Sequence, residues 1–114
     1  MYVRDYHEVP SEPGGADGLS IRWVINASQG ATTFAMRVLE LEPGKVSPFH
    51  QHDNEHEAFV LEGQGVVESG EDSKPIKEGS VVFIPGKETH QFRNTGKKKM
   101  RFIDVVTFPV VMPK

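Results

Sequence analysis

The sequence contains no cysteine. That excludes a disulfide scaffold, a Cys-ligated zinc site and a thiol nucleophile. A basic surplus is missing too: 13 Lys and Arg stand against 16 Asp and Glu, a formal net charge of −3. Neutralising a phosphate backbone needs the opposite balance, so nucleic acid is not an expected partner. No stretch approaches the roughly 20 apolar residues needed to cross a bilayer. Residues Met1 to His7 are polar and charged, without the apolar centre of a secretory signal. Together these absences lead us to expect a soluble, cytoplasmic protein with neither membrane nor nucleic acid as partner.

Length is limited as well. A chain of 114 residues fits one domain and one modest core. What is plentiful is punctuation: 11 Gly and 8 Pro break the chain at Pro43-Gly44, Gly63-Gln64-Gly65, Glu78-Gly79, Pro85-Gly86 and Asn94-Thr95-Gly96. Helices of useful length do not fit between these breaks. The apolar pattern has the period of strands. Ile21, Trp23 and Ile25 alternate with Arg22 and Val24, and Phe34, Met36 and Val38 with Ala35, Arg37 and Leu39. Val81 to Ile84 form a short apolar run, and Phe102, Asp104 and Val106 alternate with Ile103 and Val105. Many short strands at this spacing predict an all-β sandwich or barrel. Residues 1–18 read as an N-terminal arm and loop, and 19–114 as the barrel.

The five histidines are His7, His50, His52, His56 and His90. On a strand, His50 and His52 leave the same face. His56 follows the short connection Asp53-Asn54-Glu55 and starts the run His56 to Leu61. Two strands joined in this way are expected to pair antiparallel, bringing the third ring beside the first two. His90 follows the Pro85-Gly86 turn and is expected to come from a neighbouring strand. Four imidazoles converging from three strands make a rigid site for a metal, and neutral imidazole is the commonest protein metal ligand. The plain alternative is a set of polar histidines on half-exposed strands. His7, in the arm, reads as a surface residue.

These residues follow a known pattern. Gly44, His50-Gln51-His52, His56 and Gly63 fit the first cupin motif, G-x5-H-x-H-x3–4-E-x6-G. Gly79, Pro85, His90 and Asn94 fit the second, G-x5-P-x-G-x2-H-x3-N. The segments FAMRVLELEPG, HEAFVLEG and HQFRN are also similar to small single-domain cupins. The chain therefore resembles a monocupin, more closely the four-histidine type that binds manganese or another divalent metal. The resemblance implies a double-stranded β-helix, or jelly-roll, barrel holding one divalent ion on His50, His52, His56 and His90. It also implies a homodimer. There are two departures from the pattern. His56 stands where the family has its glutamate, with Glu57 adjacent; the spacing to Gly63 favours His56, and strand alternation would turn Glu57 to the other face. Lys87 stands at the glycine of P-x-G, which puts the turn before His90 in question.

Four neutral histidines leave a divalent site at a net charge of +2 and suit anionic or chelating oxygen ligands. An all-imidazole donor set by itself favours copper, nickel, zinc or iron, whereas the resemblance favours manganese. Asp104 and Arg37 are candidate catalytic residues. If Phe102 and Val106 face the interior, so does Asp104, and a buried carboxylate must be paired, ligating or protonated. Arg37 would then pair with it or hold a substrate carboxylate. In the plain alternative both point outward into solvent. Phe92 and Phe102 are candidate pocket walls. Lys97-Lys98-Lys99 reads as a solvated hairpin tip. The arm Tyr2 to Tyr6 and the tail Val105 to Val111 look strand-like and able to cover a sheet edge.

The expected function is metal-dependent oxidative chemistry of dioxygenase type on a small oxygen-bearing molecule. A non-redox isomerase or decarboxylase would use the same site. The rival from another class is a binding or sensor module for a small ligand such as a carbohydrate, since a barrel alone does not fix an activity.

Overall fold

Strands with one apolar face bury it by pairing into sheets, and the turns between them decide which sheet each one joins. The computed structural model describes residues 1–49, 54–70 and 72–108. These residues form nine strands: β1 (Glu12–Pro13), β2 (Leu19–Ile25), β3 (Phe34–Leu41), β4 (His56–Glu62), β5 (Gln64–Ser69), β6 (Asp72–Lys77), β7 (Val81–Ile84), β8 (Gln91–Asn94) and β9 (Met100–Thr107). One sheet has the order β1-β2-β3-β9-β4-β7 and the other β6-β5-β8. Every strand pairing is antiparallel, and Val46 adds a bridge to Arg93 at the free side of β8. The fold is all-β, a jelly-roll barrel.

The core lies between the sheets. Leu19, Ile21, Leu39, Leu41, Ala58 and Val60 meet Ile76, Phe92, Met100 and Phe102 there. Inward residues alternate along β9, where Met100, Phe102, Asp104 and Val106 are buried and their neighbours half-exposed. The same holds for β4, where His56, Ala58 and Val60 are buried while Glu57 and Phe59 are exposed. Gly63 lets the chain pass from β4 to β5, and so from sheet to sheet. Its φ is 89°, and a Cβ there would sit 2.9 Å from the Met100 Cα. Only glycine takes both the backbone and the close approach without strain.

β4 pairs with β7 on one side and with β9 on the other; His50 and His52, expected on the strand before it, lie outside the described residues. Two expectations change. First, Lys97 to Lys99 do not tip a hairpin. They link β8 in one sheet to β9 in the other. Second, Tyr2 to Tyr6 form no strand. The Asp5 side chain accepts a hydrogen bond from the His7 amide at 2.9 Å and caps a 3-10 turn at Tyr6–Glu8. The arm instead lies across the outer face of the larger sheet, where the Tyr2 hydroxyl donates to the Val24 carbonyl and Arg22 donates to the carbonyls of His7 and Val9. The sheet edge is covered by β1, which lies within the stretch read as loop. Of the tail, residues 105–107 belong to β9, and 109–114 lie outside the described residues.

Candidate metal centre

β4 opens with His56, opposite Ile84 on β7 and Val106 on β9. Its inward parity buries it to 4% exposure. Glu57 has the opposite parity and is exposed on the outer face. His90 comes from the other sheet, immediately before β8, and is also 4% exposed. The two rings meet inside the barrel with centroids 5.0 Å apart, inclined at 65°. His50 and His52 lie outside the described residues. Among the described residues no cluster of three or more His, Asp or Glu is placed to hold one ion, so the described part of the expected ligand set is the pair His56 and His90.

Each of these rings has its Nδ1 engaged by an acceptor. His56 Nδ1 lies 3.1 and 3.0 Å from Asp104 Oδ1 and Oδ2. His90 Nδ1 lies 2.9 Å from the Glu88 carbonyl oxygen. A carbonyl or a carboxylate only accepts, so Nδ1 is the donor in both rings. In the neutral ring this fixes the tautomer, with the lone pair on Nε2. This is how a metal-binding histidine is usually held, with its far nitrogen on a carboxylate or a backbone carbonyl. The described half of the donor set thus fits a divalent ion. Burial pushes the His90 pKa below its ordinary value, partly offset by the Glu88 bond, which also favours the neutral, ligating form.

Asp104 does face inward, at 4% exposure, and Arg37 is buried to 6%. They are register partners across β3 and β9. Arg37 donates to Asp104 Oδ2 from Nε at 2.9 Å and approaches the same oxygen with Nη2 at 2.7 Å. Burial pushes the Asp104 carboxyl up, but the His56 bond and the Arg37 guanidinium outweigh it and hold the group below the usual carboxylate range. Behind them the Arg37 guanidinium carbon lies 5.3 Å from the Trp23 ring centroid, a cation–π contact. A relay Trp23–Arg37–Asp104–His56 therefore crosses four neighbouring strands. Trp23 is not among the candidate site residues that the sequence marks. The missed signal is pairing: it sits opposite Arg37 on β2.

Phe92 and Phe102 stack at 4.5 Å between centroids, 19° from parallel, and both belong to the core. A cavity of about 360 Å³ opens beside His90 and is lined by other residues, among them Val67, Ile76, Val82 and Ile84. Nothing in the motif spacing marks these four. Lys87 takes a φ of 68°, so the residue at the motif's glycine adopts the left-handed conformation despite its side chain. Asn94 of the second motif is 1% exposed. Its amide donates to the carbonyls of Leu41 and Lys98 and its oxygen accepts from Gly96, so it ties β3 to the β8–β9 link. His7 is exposed and bonded to Asp5.

With this geometry in hand, comparisons place the chain among known proteins. A family model described as "Cupin domain" matches residues 37–106. The oxalate-binding protein of Thermotoga maritima is 35% identical over 60% of this chain and 57% of its own length. A gentisate 1,2-dioxygenase of a Streptomyces species is 29% identical over 62% of this chain and 20% of its own. The chain thus spans less than two thirds of either relative. Among solved structures, the polyketide cyclase RemF from Streptomyces resistomycificus superposes with a TM-score of 0.88 at 28% identity, covering 99% of this chain and 84% of that one. The family match covers well over half of the sequence, including Arg37 to Leu41 of β3, all of β4 and β8 and nearly all of β9, which carry Arg37, His56, Asp104 and the residues that follow His90: the chain belongs to the cupin family.

Proposed function

We propose that the barrel holds one divalent metal ion on His50, His52, His56 and His90, and that the protein is a metal-dependent oxidoreductase of dioxygenase type acting on a small oxygen-bearing molecule. One observation carries this reading: two buried imidazoles from opposite sheets meet at 5.0 Å, each with Nδ1 committed to an acceptor. Manganese is the ion that the resemblance favours. When bound, such an ion supplies Lewis-acid polarisation of a substrate oxygen and, where it is redox-active, electrons. Asp104 and Arg37 then act by positioning. The described polar contacts of Arg37 are spent on Asp104, and those of Asp104 on Arg37 and His56, so together they orient the His56 ring and keep the carboxylate charged. Phe92 and Phe102 fill the barrel interior and help exclude water from it. The similarity to gentisate 1,2-dioxygenases supports the oxidative version.

A second reading, a small-ligand binding module, is favoured by the similarity to the oxalate-binding protein. The two separate experimentally. Elemental analysis of the purified protein should find about one equivalent of a redox-capable metal. Water-proton relaxation of the manganese-loaded protein should then show a fast-exchanging water. Protein that is stable without metal and takes none up would favour the binding module.

A further inference from the structure

The cavity beside His90 lies where the two sheets part. β7 is the last strand of the larger sheet and β6 the last of the smaller, and the two are not paired. Val67 from β5, Ile76 from β6, and Val82 and Ile84 from β7 wall the space of about 360 Å³, and His90 closes one side. That volume lies in the range of small-ligand pockets and admits a bicyclic ring. Asp72, Lys74 and Glu88 are its charged lining residues among those described, and Ser69 and Ser80 add two hydroxyl side chains. Lys74 lies 3.4 Å from Asp72, with both side chains well exposed. Among the described residues the charged part of the lining is thus net acidic, and Lys74 already has a carboxylate beside it. Deeper inside, Arg37 is spent on Asp104.

We propose that this cavity takes a small, largely apolar ring compound presenting a hydroxyl or carbonyl oxygen toward His90, and that its walls, without a bound ion, prefer such a body to a small dicarboxylate. Ring surface against Val and Ile walls is stabilised by the area it removes from water. In the metal-free cavity a dicarboxylate would pass Asp72 and Glu88 and then leave a carboxylate against aliphatic walls, which is costly without a partner. The orientation, oxygen toward His90, rests on the metal-centre reading. The preference for an apolar body rests on the walls alone.

The test is isothermal titration of the chelator-treated, metal-free protein with 2-naphthol and with oxalate, because a bound divalent ion would itself chelate oxalate. It is made on the wild type and on Val82→Phe and Val67→Phe, either of which fills the cavity, and circular dichroism establishes that each variant is folded. The expected result is 2-naphthol binding at least about ten-fold tighter than oxalate, with a loss of ten-fold or more in the variants. Oxalate binding as tight or tighter, binding of neither probe, or naphthol binding unchanged in both folded variants overturns the proposal. Metal uptake by the wild type is measured separately; its absence sinks the metal-centre reading and leaves the result for the cavity standing.

Discussion

Replacing Arg37 by methionine removes one partner of a buried charge pair and leaves the other in place. The Arg37 and Asp104 side chains are 8% and 6% exposed, so water cannot take over the lost hydrogen bonds. Removing one member of such a pair costs about 3–5 kcal/mol. Methionine keeps most of the volume over Trp23, so little of that cost comes from a cavity. For a domain of this size the loss corresponds to about 12–20 °C in Tm. Urea unfolding of chelator-treated protein, with linear extrapolation, measures it directly. The double variant Arg37→Met with Asp104→Leu removes the charge as well. It should recover part of the loss, ending about 1–3 kcal/mol below wild type because His56 Nδ1 is left without its acceptor. A single variant costing under about 1 kcal/mol, or a double variant worse than the single, would refute the claim that Arg37 compensates a buried ionised Asp104.

Two other substitutions probe the framework around the site. Asn94→Ala should cost about 2–4 kcal/mol, since two carbonyls and one amide lose their partner; thermal unfolding reads this, and a loss below 1 kcal/mol would contradict the role given to that side chain. Lys87→Gly relieves a left-handed backbone and should raise stability by about 1 kcal/mol, with lower stability in urea unfolding as the opposing result.

Much of the fold was legible because its strands have one wet and one dry face. In β4 the alternation put His56 and Glu57 on opposite faces, and in β9 it put Phe102, Asp104 and Val106 on one face without saying which; the structure turns His56 and that face of β9 inward. β3 was harder to read because both its faces are covered. Val38 and Glu40 point outward yet are 3% and 4% exposed. Glu40 reaches Arg101 at 2.7 Å, and Val38 lies beneath Tyr2, Val3 and Tyr6 of the arm. With apolar and charged residues on both sides, parity alone could not tell whether Arg37 faces in. Pairing was illegible for a different reason: β4 joins β9, some forty residues later in the chain, and no local pattern encodes that partner. For the candidate site, spacing identified which histidines to examine. The acceptors that fix their tautomers come from remote β9 and from a backbone carbonyl, neither of which a motif records. The outer face of β4 and β7 also carries exposed Phe59, Val81 and Phe83, although Val81 to Ile84 is an apolar run in the sequence.

The most direct test of the metal centre is calorimetric titration of manganese(II) into the chelator-treated wild type and the variants His56→Ala, His90→Ala and Glu57→Ala. The account predicts one site per chain in the wild type and in Glu57→Ala, and affinity lowered by 100-fold or more in both histidine variants. Wild-type affinity in His56→Ala together with loss of binding in Glu57→Ala would contradict it.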